Sequence, residues 1–311
     1  MILYCVIPCF NESKCLKETT HRLNTKFDSL IKAKKINSRS KIVYIDDGSK
    51  DDTWTIIKNF GHRIIGIKLS RNQGHQNALL AGLMYARGKC DAAISMDADL
   101  QDDIDAIDNF IDEYNKGAEI VYGVRSERKK DSFFKRNTAL AFYKIMNLFG
   151  AQTIYNHADY RLMSNRALEE LSRFNEVNLF LRGIVPLIGL KTATVKYKRA
   201  ERFAGESKYP LKKMINFALD GITSFSIKPI RLIFFLGLAV SIVSFLVLAY
   251  ALIVKLIGQA ISGWTFTICS IWLLGGIQMI ALGIIGEYIG KIYSEVKARP
   301  HYIIEEIKEN K

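Results

Sequence analysis

The chain has 311 residues, 49% of them hydrophobic, and a formal net charge of +13. That is enough for one soluble domain with a full core and something more. Nucleic acid is an available partner for so basic a chain, but an anionic lipid surface and phosphorylated substrates account for the charge better, so no nucleic-acid partner is expected. Of the five cysteines, Cys5 and Cys90 belong with apolar strands, Cys269 lies in an apolar helix, and Cys9 and Cys15 have no histidine at metal-site spacing. All are expected to be unpaired and non-catalytic, as in a reducing compartment.

In chain order, Ile2 to Pro8 reads as a buried strand delivering the polar loop Pro8-Cys-Phe-Asn-Glu12, with Asn11 or Ser13 capping a helix to about Leu30. This N-terminus is too short for a signal h-region and lacks a basic n-region. A second strand, Lys41 to Ile45, runs into Asp46-Asp-Gly-Ser49, and Asp51 or Asp52 caps a helix from Thr53 to Phe60. The third strand, Ile64 to Leu69, precedes Ser70-Arg-Asn-Gln-Gly-His75 and a helix from His75 to Ala86 closed by Gly88. A fourth, Ala92 to Met96, leads into Asp97-Ala-Asp-Leu-Gln-Asp102, followed by a helix from Ile104 to Tyr114 and a fifth strand, Glu119 to Val124.

Strand and helix alternate with short connections, which predicts an α/β domain built on a mostly parallel, doubly wound sheet. In such sheets ligands bind beyond the carboxyl ends of the strands, and three polar clusters occupy those ends: Asn11-Glu12, Asp46-Asp47 and Asp97-Asp99. Carboxylates at i and i+2 past a strand offer hard oxygen ligands to a divalent cation and leave positions for phosphate oxygens. Neither a glycine-rich dinucleotide fingerprint nor a Walker loop is present, which disfavours hydride transfer and P-loop chemistry. A metal-assisted site for a nucleoside diphosphate remains.

The second half is basic, then apolar. Arg125 to Lys130 form a charge run, and Lys135 and Arg136 open a helix from Phe133 to Phe149. Such cations suit phosphate capture as well as a solvated loop. Asp159 stands in a polar turn before an apolar strand, where it fits either a base or acceptor-orienting role or a structural pair with Arg161. Arg199, Arg202 and Lys208 surround a short loop with Gly205 and Ser207, and Lys212 to Ile227 has the pattern of an interfacial helix. Pro229 to Ile257 and Trp264 to Ile289 are each long and apolar enough to span a bilayer as a helix, with Lys and Arg concentrated outside the pair. The positive-inside rule then places both termini in the cytosol. The expected organisation is a catalytic domain over 1–209, an interfacial helix over 210–228, two membrane helices over 229–290 and a cytosolic tail over 291–311.

These motifs, with Arg202-Phe-Ala-Gly-Glu-Ser-Lys-Tyr209, resemble the family 2 inverting glycosyltransferases that act on polyprenyl phosphates, including the dolichol-phosphate mannose synthases. Asn178-Leu-Phe-Leu-Arg-Gly183, Leu274-Gly-Gly-Ile-Gln-Met-Ile280 and Gly286-Glu-Tyr-Ile-Gly290 narrow the resemblance to bacterial and phage bactoprenol glucosyltransferases, over essentially the whole chain. It implies a GT-A fold, Mg²⁺ or Mn²⁺, a UDP-sugar donor, an undecaprenyl phosphate acceptor, the bacterial inner membrane and a homo-oligomer, with relatives suggesting a tetramer. It also implies roles. Asp97, Asp99 and Gln101 fall on the metal and diphosphate motif, and Pro8, Glu12, Asp47 and Arg71 on nucleoside-binding positions. Arg125 and Arg136 fall on the phosphate-contacting pair, with Lys135 beside them, and Asp159 on the proposed base. Arg202, Ser207 and Lys208 fall on the loop that closes the site. Ala158 departs from a glycine common in the family and would be strained if that turn required positive φ. Rival readings are the same fold with another donor such as GDP-mannose or another UDP-hexose, a processive synthase disfavoured because two spans make no polymer channel and no Gln-x-x-Arg-Trp motif is present, and a lipid-binding scaffold that has no use for three acidic strand ends.

Overall fold

The computed structural model describes residues 1–125, 157–177, 179–198, 228–257 and 263–309. In order these form β1 (Leu3–Cys9), α1 (Leu16–Lys32), β2 (Lys41–Asp46), α2 (Thr53–Lys58), β3 (Ile64–Leu69), α3 (His75–Ala86) and β4 (Ala92–Ser95). A 3-10 turn (Ile104–Ala106) leads into α4 (Ile107–Asn115), β5 (Ile120–Arg125), β6 (His157–Ser164), α5 (Asn165–Leu171), α6 (Leu181–Leu187) and β7 (Thr192–Tyr197). Then come α7 (Lys228–Leu256), α8 (Trp264–Lys297) and β8 (Ile304–Glu309). The chain divides into two compact units, one holding the eight strands with α1 to α6, the other holding α7 and α8.

One sheet runs β7-β5-β6-β4-β1-β2-β3-β8. Its centre is parallel, β1 lying between β2 and β4, and every residue of β1 is buried. A continuous apolar run is what a strand covered on both faces requires. The helices supply the cover through one-sided stripes, as in α1, where Leu16, Thr19, Thr20, Leu23, Phe27 and Leu30 are buried at spacings of three and four. Pro8 fits because the carbonyl of Val6 faces β4, accepting from the Met96 amide, and the β1–β4 pairing ends at Val6 with Ser95. Two residues on, the missing proline N–H points past the end of β4, where no ladder bond is lost.

The parallel expectation is met from β1 to β4 and qualified elsewhere. β6 runs antiparallel between β4 and β5, and β8 pairs antiparallel with β3. The last of these was read in the sequence only as a tail. Yet β8 closes the β3 edge, Lys68 and Lys58 pairing with Glu305 and Glu306, and the Trp54 indole donating to Glu306. The cap expected for α1 is also corrected. α1 starts at Leu16, so its cap position falls on Cys15, beyond both Asn11 and Ser13, and no side chain caps it; the Asn11 side chain accepts from the Lys50 amide instead.

In the second unit, α7 and α8 are helices of 29 and 34 residues, about 43 and 51 Å long. Many of their large apolar side chains face outward, including Phe234, Leu246, Met279, Ile280 and Val296. Among the described residues one stretch, Leu273–Lys297, is long and apolar enough to cross a membrane, with a mean hydropathy of 1.5.

Candidate active site

Because β1 pairs with β2 on one side and β4 on the other, the strand order reverses there, and a crevice opens beyond the carboxyl ends of β1 and β4. On one side of it the loops after β1, β2 and β3 are bonded into a single ledge. The Asn11 amide donates to Ser49 Oγ at 2.9 Å, the Glu12 amide to Thr53 Oγ1 at 2.9 Å and the Asp47 amide to the Cys9 carbonyl at 2.9 Å. Asp47 then accepts from the amides of Gln73 at 2.7 Å and Gly74 at 2.9 Å. Gly48 has φ of 66°, and a Cβ there would stand 2.6 Å from the backbone of Arg71 and Asn72, so two loops touch where only glycine fits. Burial pushes the Asp46 carboxyl upward, and its Oδ2 has no hydrogen-bond partner among the described residues.

The β4 loop is built differently. Asp99 is buried and folds its Oδ1 back to accept from the Gln101 amide at 3.1 Å, a turn that places Leu100 at φ of 60°. Left-handed backbone is costly for leucine, so the surrounding bonds must hold it. The Thr19 hydroxyl donates to the Ala98 carbonyl at 2.8 Å, the Asp97 amide donates to Asp102, and the Tyr197 hydroxyl donates to Asp102 at 2.6 Å. Arg125 Nε in turn reaches the Tyr197 hydroxyl at 3.4 Å. The Asp97 side chain keeps 38% of its surface exposed. Burial of the carboxyl, reinforced by Asp102, Asp159 and Asp99 against the pull of His75, pushes it up to about 6. A carboxylate crowded by three others is a place where added positive charge is welcome.

Behind this loop lies Asp159, on β6. Its Oδ1 accepts from Arg161 Nη2 at 2.6 Å and Arg182 Nε at 3.1 Å, and its Oδ2 from Arg182 Nη2 at 2.9 Å, with the Gln76 amide at 3.5 Å. His75 Nε2 stands 3.6 Å from Asp159 and 3.7 Å from Asp97, between the two carboxylates. Although burial alone would raise the Asp159 carboxyl, Arg182, His75 and Arg161 hold it well below the usual carboxylate range. At neutral pH such a group is an anion with its lone pairs engaged, and a poor base.

The structure therefore brings Asp97, Asp99 and Gln101 together in the β4 loop, with Asp97 and Asp159 linked through His75, while Glu12 and Asp47 belong to the ledge that precedes His75. Asp47 is committed to two backbone amides. Glu12 accepts from the Cys15 thiol, and Arg71 is exposed on the β3–α3 loop. Arg125 ends β5. Lys135, Arg136, Arg202, Ser207 and Lys208 lie outside the described residues, as does the expected interfacial helix apart from Lys228, which already belongs to α7. Ala158 lies within β6, in a strand and not in the turn expected for it. Sequence reasoning gave no role to His75, Gln76, Arg182 or Tyr197. Arg182 does sit in the Asn178–Gly183 stretch, which marked the place without naming the contact.

Among the described residues no group of three or more His, Cys, Asp or Glu forms a metal cage. The Asp97–Asp99 pair nevertheless suits a hard divalent cation of the Mg²⁺ kind, which is commonly held by one or two carboxylates and completed by substrate phosphates and water.

A parallel sheet with an Asp-x-Asp loop at the switch point is the arrangement of a GT-A glycosyltransferase. The fold agrees with that of mannosyl-3-phosphoglycerate synthase from Rubrobacter xylanophilus, at a TM-score of 0.51 over 71% of each chain and 16% identity. Residues 4–172 match the family described as Glycosyl transferase family 2. The chain is 55% identical over 307 residues to the uncharacterized glycosyltransferase YkoT of Bacillus subtilis (strain 168), covering 98% of this chain and 91% of that one. It is 41% identical to the prophage bactoprenol glucosyl transferase homolog of Escherichia coli (strain K12), covering 97% and 98%, and 41% identical to the bactoprenol glucosyl transferase of Shigella phage SfV, covering 98% of each. The chain belongs to glycosyltransferase family 2 and is a glycosyltransferase.

Proposed function

We propose that the protein transfers glucose from UDP-glucose to undecaprenyl phosphate, with inversion, at the cytosolic face of a bacterial cytoplasmic membrane. The observation that carries this reading is the crowded Asp97–Asp99 loop at the β1/β4 crevice, joined to likeness along nearly the whole chain with proteins named bactoprenol glucosyl transferase. A Mg²⁺ or Mn²⁺ ion held by Asp97 and Asp99, with Gln101 beside them, would supply Lewis-acid stabilisation of the departing diphosphate. The ledge of Pro8, Glu12, Asp47 and Arg71 faces the nucleoside. Arg125, with Lys135, Arg136, Arg202, Ser207 and Lys208, provides for the phosphates on the acceptor side.

The acceptor phosphate has a second pKa of about 6, so at neutral pH it is mostly dianionic and attacks without losing a proton. That agrees with an Asp159 already bonded to two arginines. Its work in this account is to position, not to deprotonate.

In the same proposal α7 and α8 both cross the bilayer, with the sheet unit and both termini in the cytosol. Their outward apolar side chains support this, since exposed apolar surface on that scale is not left to water. Gly275, Gly276, Gly283, Gly286 and Gly290 in α8 have no atoms of the described residues beyond the helix itself within 4 Å of an added Cβ, which gives a second copy room to pack closely and supports a homo-oligomer, a tetramer in our reading.

The test is a transfer assay. Membranes carrying the chain, given undecaprenyl phosphate, should move label into lipid from UDP-glucose in preference to UDP-galactose or GDP-mannose. Label that enters lipid only from another donor would refute the choice of sugar, and label that enters lipid from none would refute the reaction.

A further inference from the structure

Strand β8 reaches the candidate active site through the backbone. Residues 70–75, which join β3 to α3, are anchored along their length. The Ser70 amide donates to the Ile303 carbonyl at 2.9 Å. The Arg71 and Asn72 backbone lies against Gly48, the Gln73 and Gly74 amides donate to Asp47, and His75 stands between Asp97 and Asp159. All of these anchors but the first belong to the crevice. The first belongs to a segment that follows α8, far along the chain.

The pairing of β8 with β3 changes where that loop begins. Gly66, Ile67 and Lys68 face Lys308, Ile307 and Glu306 in turn, and Leu69 then faces Ile304. Glu305 is the extra residue of a β-bulge, and its carboxylate takes Lys68 Nζ at 3.0 Å. A bulge bends the ladder and increases its twist, which re-aims the chain that leaves the strand next. That chain is Ser70 and the loop behind it. Burial does not account for β8, because Ile303, Ile304 and Ile307 stay exposed. The ion pairs of Glu305 and Glu306 lie on the surface and contribute little. A segment held chiefly by a backbone ladder opens locally at low cost, so its docking responds to what binds nearby.

We infer that residues 303–309 position the donor site: β8, docked on β3 with its bulge at Glu305, sets the path of the β3–α3 loop on which nucleotide binding depends. Docking of β8 and binding of the nucleotide then favour each other by the same factor, since coupling between two equilibria is reciprocal. The inference places no residue of β8 in contact with substrate. It rests on the proposed function for the identity of the nucleotide, taken as UDP with a divalent cation.

The experiment uses the full chain in detergent or nanodiscs. Hydrogen exchange of the Ser70 amide and of residues 303–309 is followed in native protein with and without saturating UDP and Mn²⁺, and should slow by about fivefold or more on binding. Three variants are compared, each with a melting curve: Glu305→Lys with Glu306→Lys, deletion of Glu305, and Glu305→Gln with Glu306→Gln. The first sets lysines against Lys58 and Lys68, and the second removes the bulge. Both should raise the KM for UDP-glucose and the Kd for UDP about three- to tenfold, with kcat and the KM for undecaprenyl phosphate within about twofold of native. The glutamine variant keeps ladder and bulge and should stay within about twofold of native throughout, whereas a role in stability alone would split no KM from the other. Folded lysine and deletion variants that bind UDP within about twofold of native overturn the inference. Should neither fold, native exchange decides, and exchange unaltered by UDP overturns it. A native chain that binds no UDP with Mn²⁺ refutes the donor reading and this inference together, while native binding with unaltered exchange refutes this inference alone.

Discussion

The ends of β2 and β4 carry the same kind of residue and do different work. Asp47 gives both carboxylate oxygens to the amides of Gln73 and Gly74, and so joins two loops of the ledge. Asp97 stays partly exposed among three other carboxylates, with its carboxyl pushed up to about 6. A carboxylate already satisfied by backbone serves architecture, while one left crowded and accessible has the chemistry to take a cation. The same distinction separates Asp159 from the base role its position in the chain invites.

The comparison is easiest to break at Asp159. Asp159→Asn removes the charge that pairs with Arg161 and Arg182, and kcat should fall by about 10- to 100-fold. The depression should be parallel across pH 6 to 9, since the native carboxyl is held well below that window and stays ionised throughout. Recovery of Asp159→Asn at high pH would restore the base reading. In stability the sign is also set. A carboxyl depressed on folding contributes above its unfolded value of about 4 and loses that contribution only as pH falls through the lower folded value. Native protein should therefore show no melting-temperature change between pH 6 and 8 from this group.

Gly48→Ala tests the ledge. It forces alanine into φ of 66° and places its Cβ against the backbone of Arg71 and Asn72, so a cost of about 1–3 kcal/mol and weaker UDP binding are expected. Calorimetry and a melting curve measure both. A smaller effect follows from Asp97. Between pH 7.5 and 5.5 its ionised fraction drops as protons occupy the carboxyl, so Mn²⁺-dependent UDP binding should weaken severalfold, and Asp97→Asn should leave only the part of that pH dependence that comes from the nucleotide's own terminal phosphate, whose second pKa is about 6. The smallest effect belongs to the far edge of the sheet. Glu306→Ala removes a surface ion pair with Lys58 and a bond from Trp54, and thermal unfolding should show only a small fall in melting temperature, less than that of Gly48→Ala.

Much of this was legible in the sequence for physical reasons. The first four strands are continuous apolar runs, each delivering polar residues at its carboxyl end, and the helix His75–Ala86 begins and ends where glycine and periodicity place it. β8 was not legible. Ile304–Glu309 is short and charged at four of its six positions, and its pairing with β3 spans well over two hundred residues, a contact that no local pattern encodes. The Asp159 cluster was half legible. Its Asp-x-Arg pair is local, but Arg182 arrives from another element, and sequence spacing cannot show that it reaches the same carboxylate. Asp46-Asp47 and Asp97-x-Asp99 looked alike because composition does not reveal which backbone amides lie opposite.

The division between those two acidic ends is tested most directly by a spin-resonance titration of Mn²⁺ in the presence of UDP, comparing native chain with Asp99→Asn and Asp47→Asn. Asp99→Asn should lose UDP-dependent Mn²⁺ binding, while Asp47→Asn should still bind the ion in the ternary complex and show only a weaker affinity for the nucleotide. Native-like Mn²⁺ binding in Asp99→Asn, or its complete loss in a folded Asp47→Asn, would contradict the account.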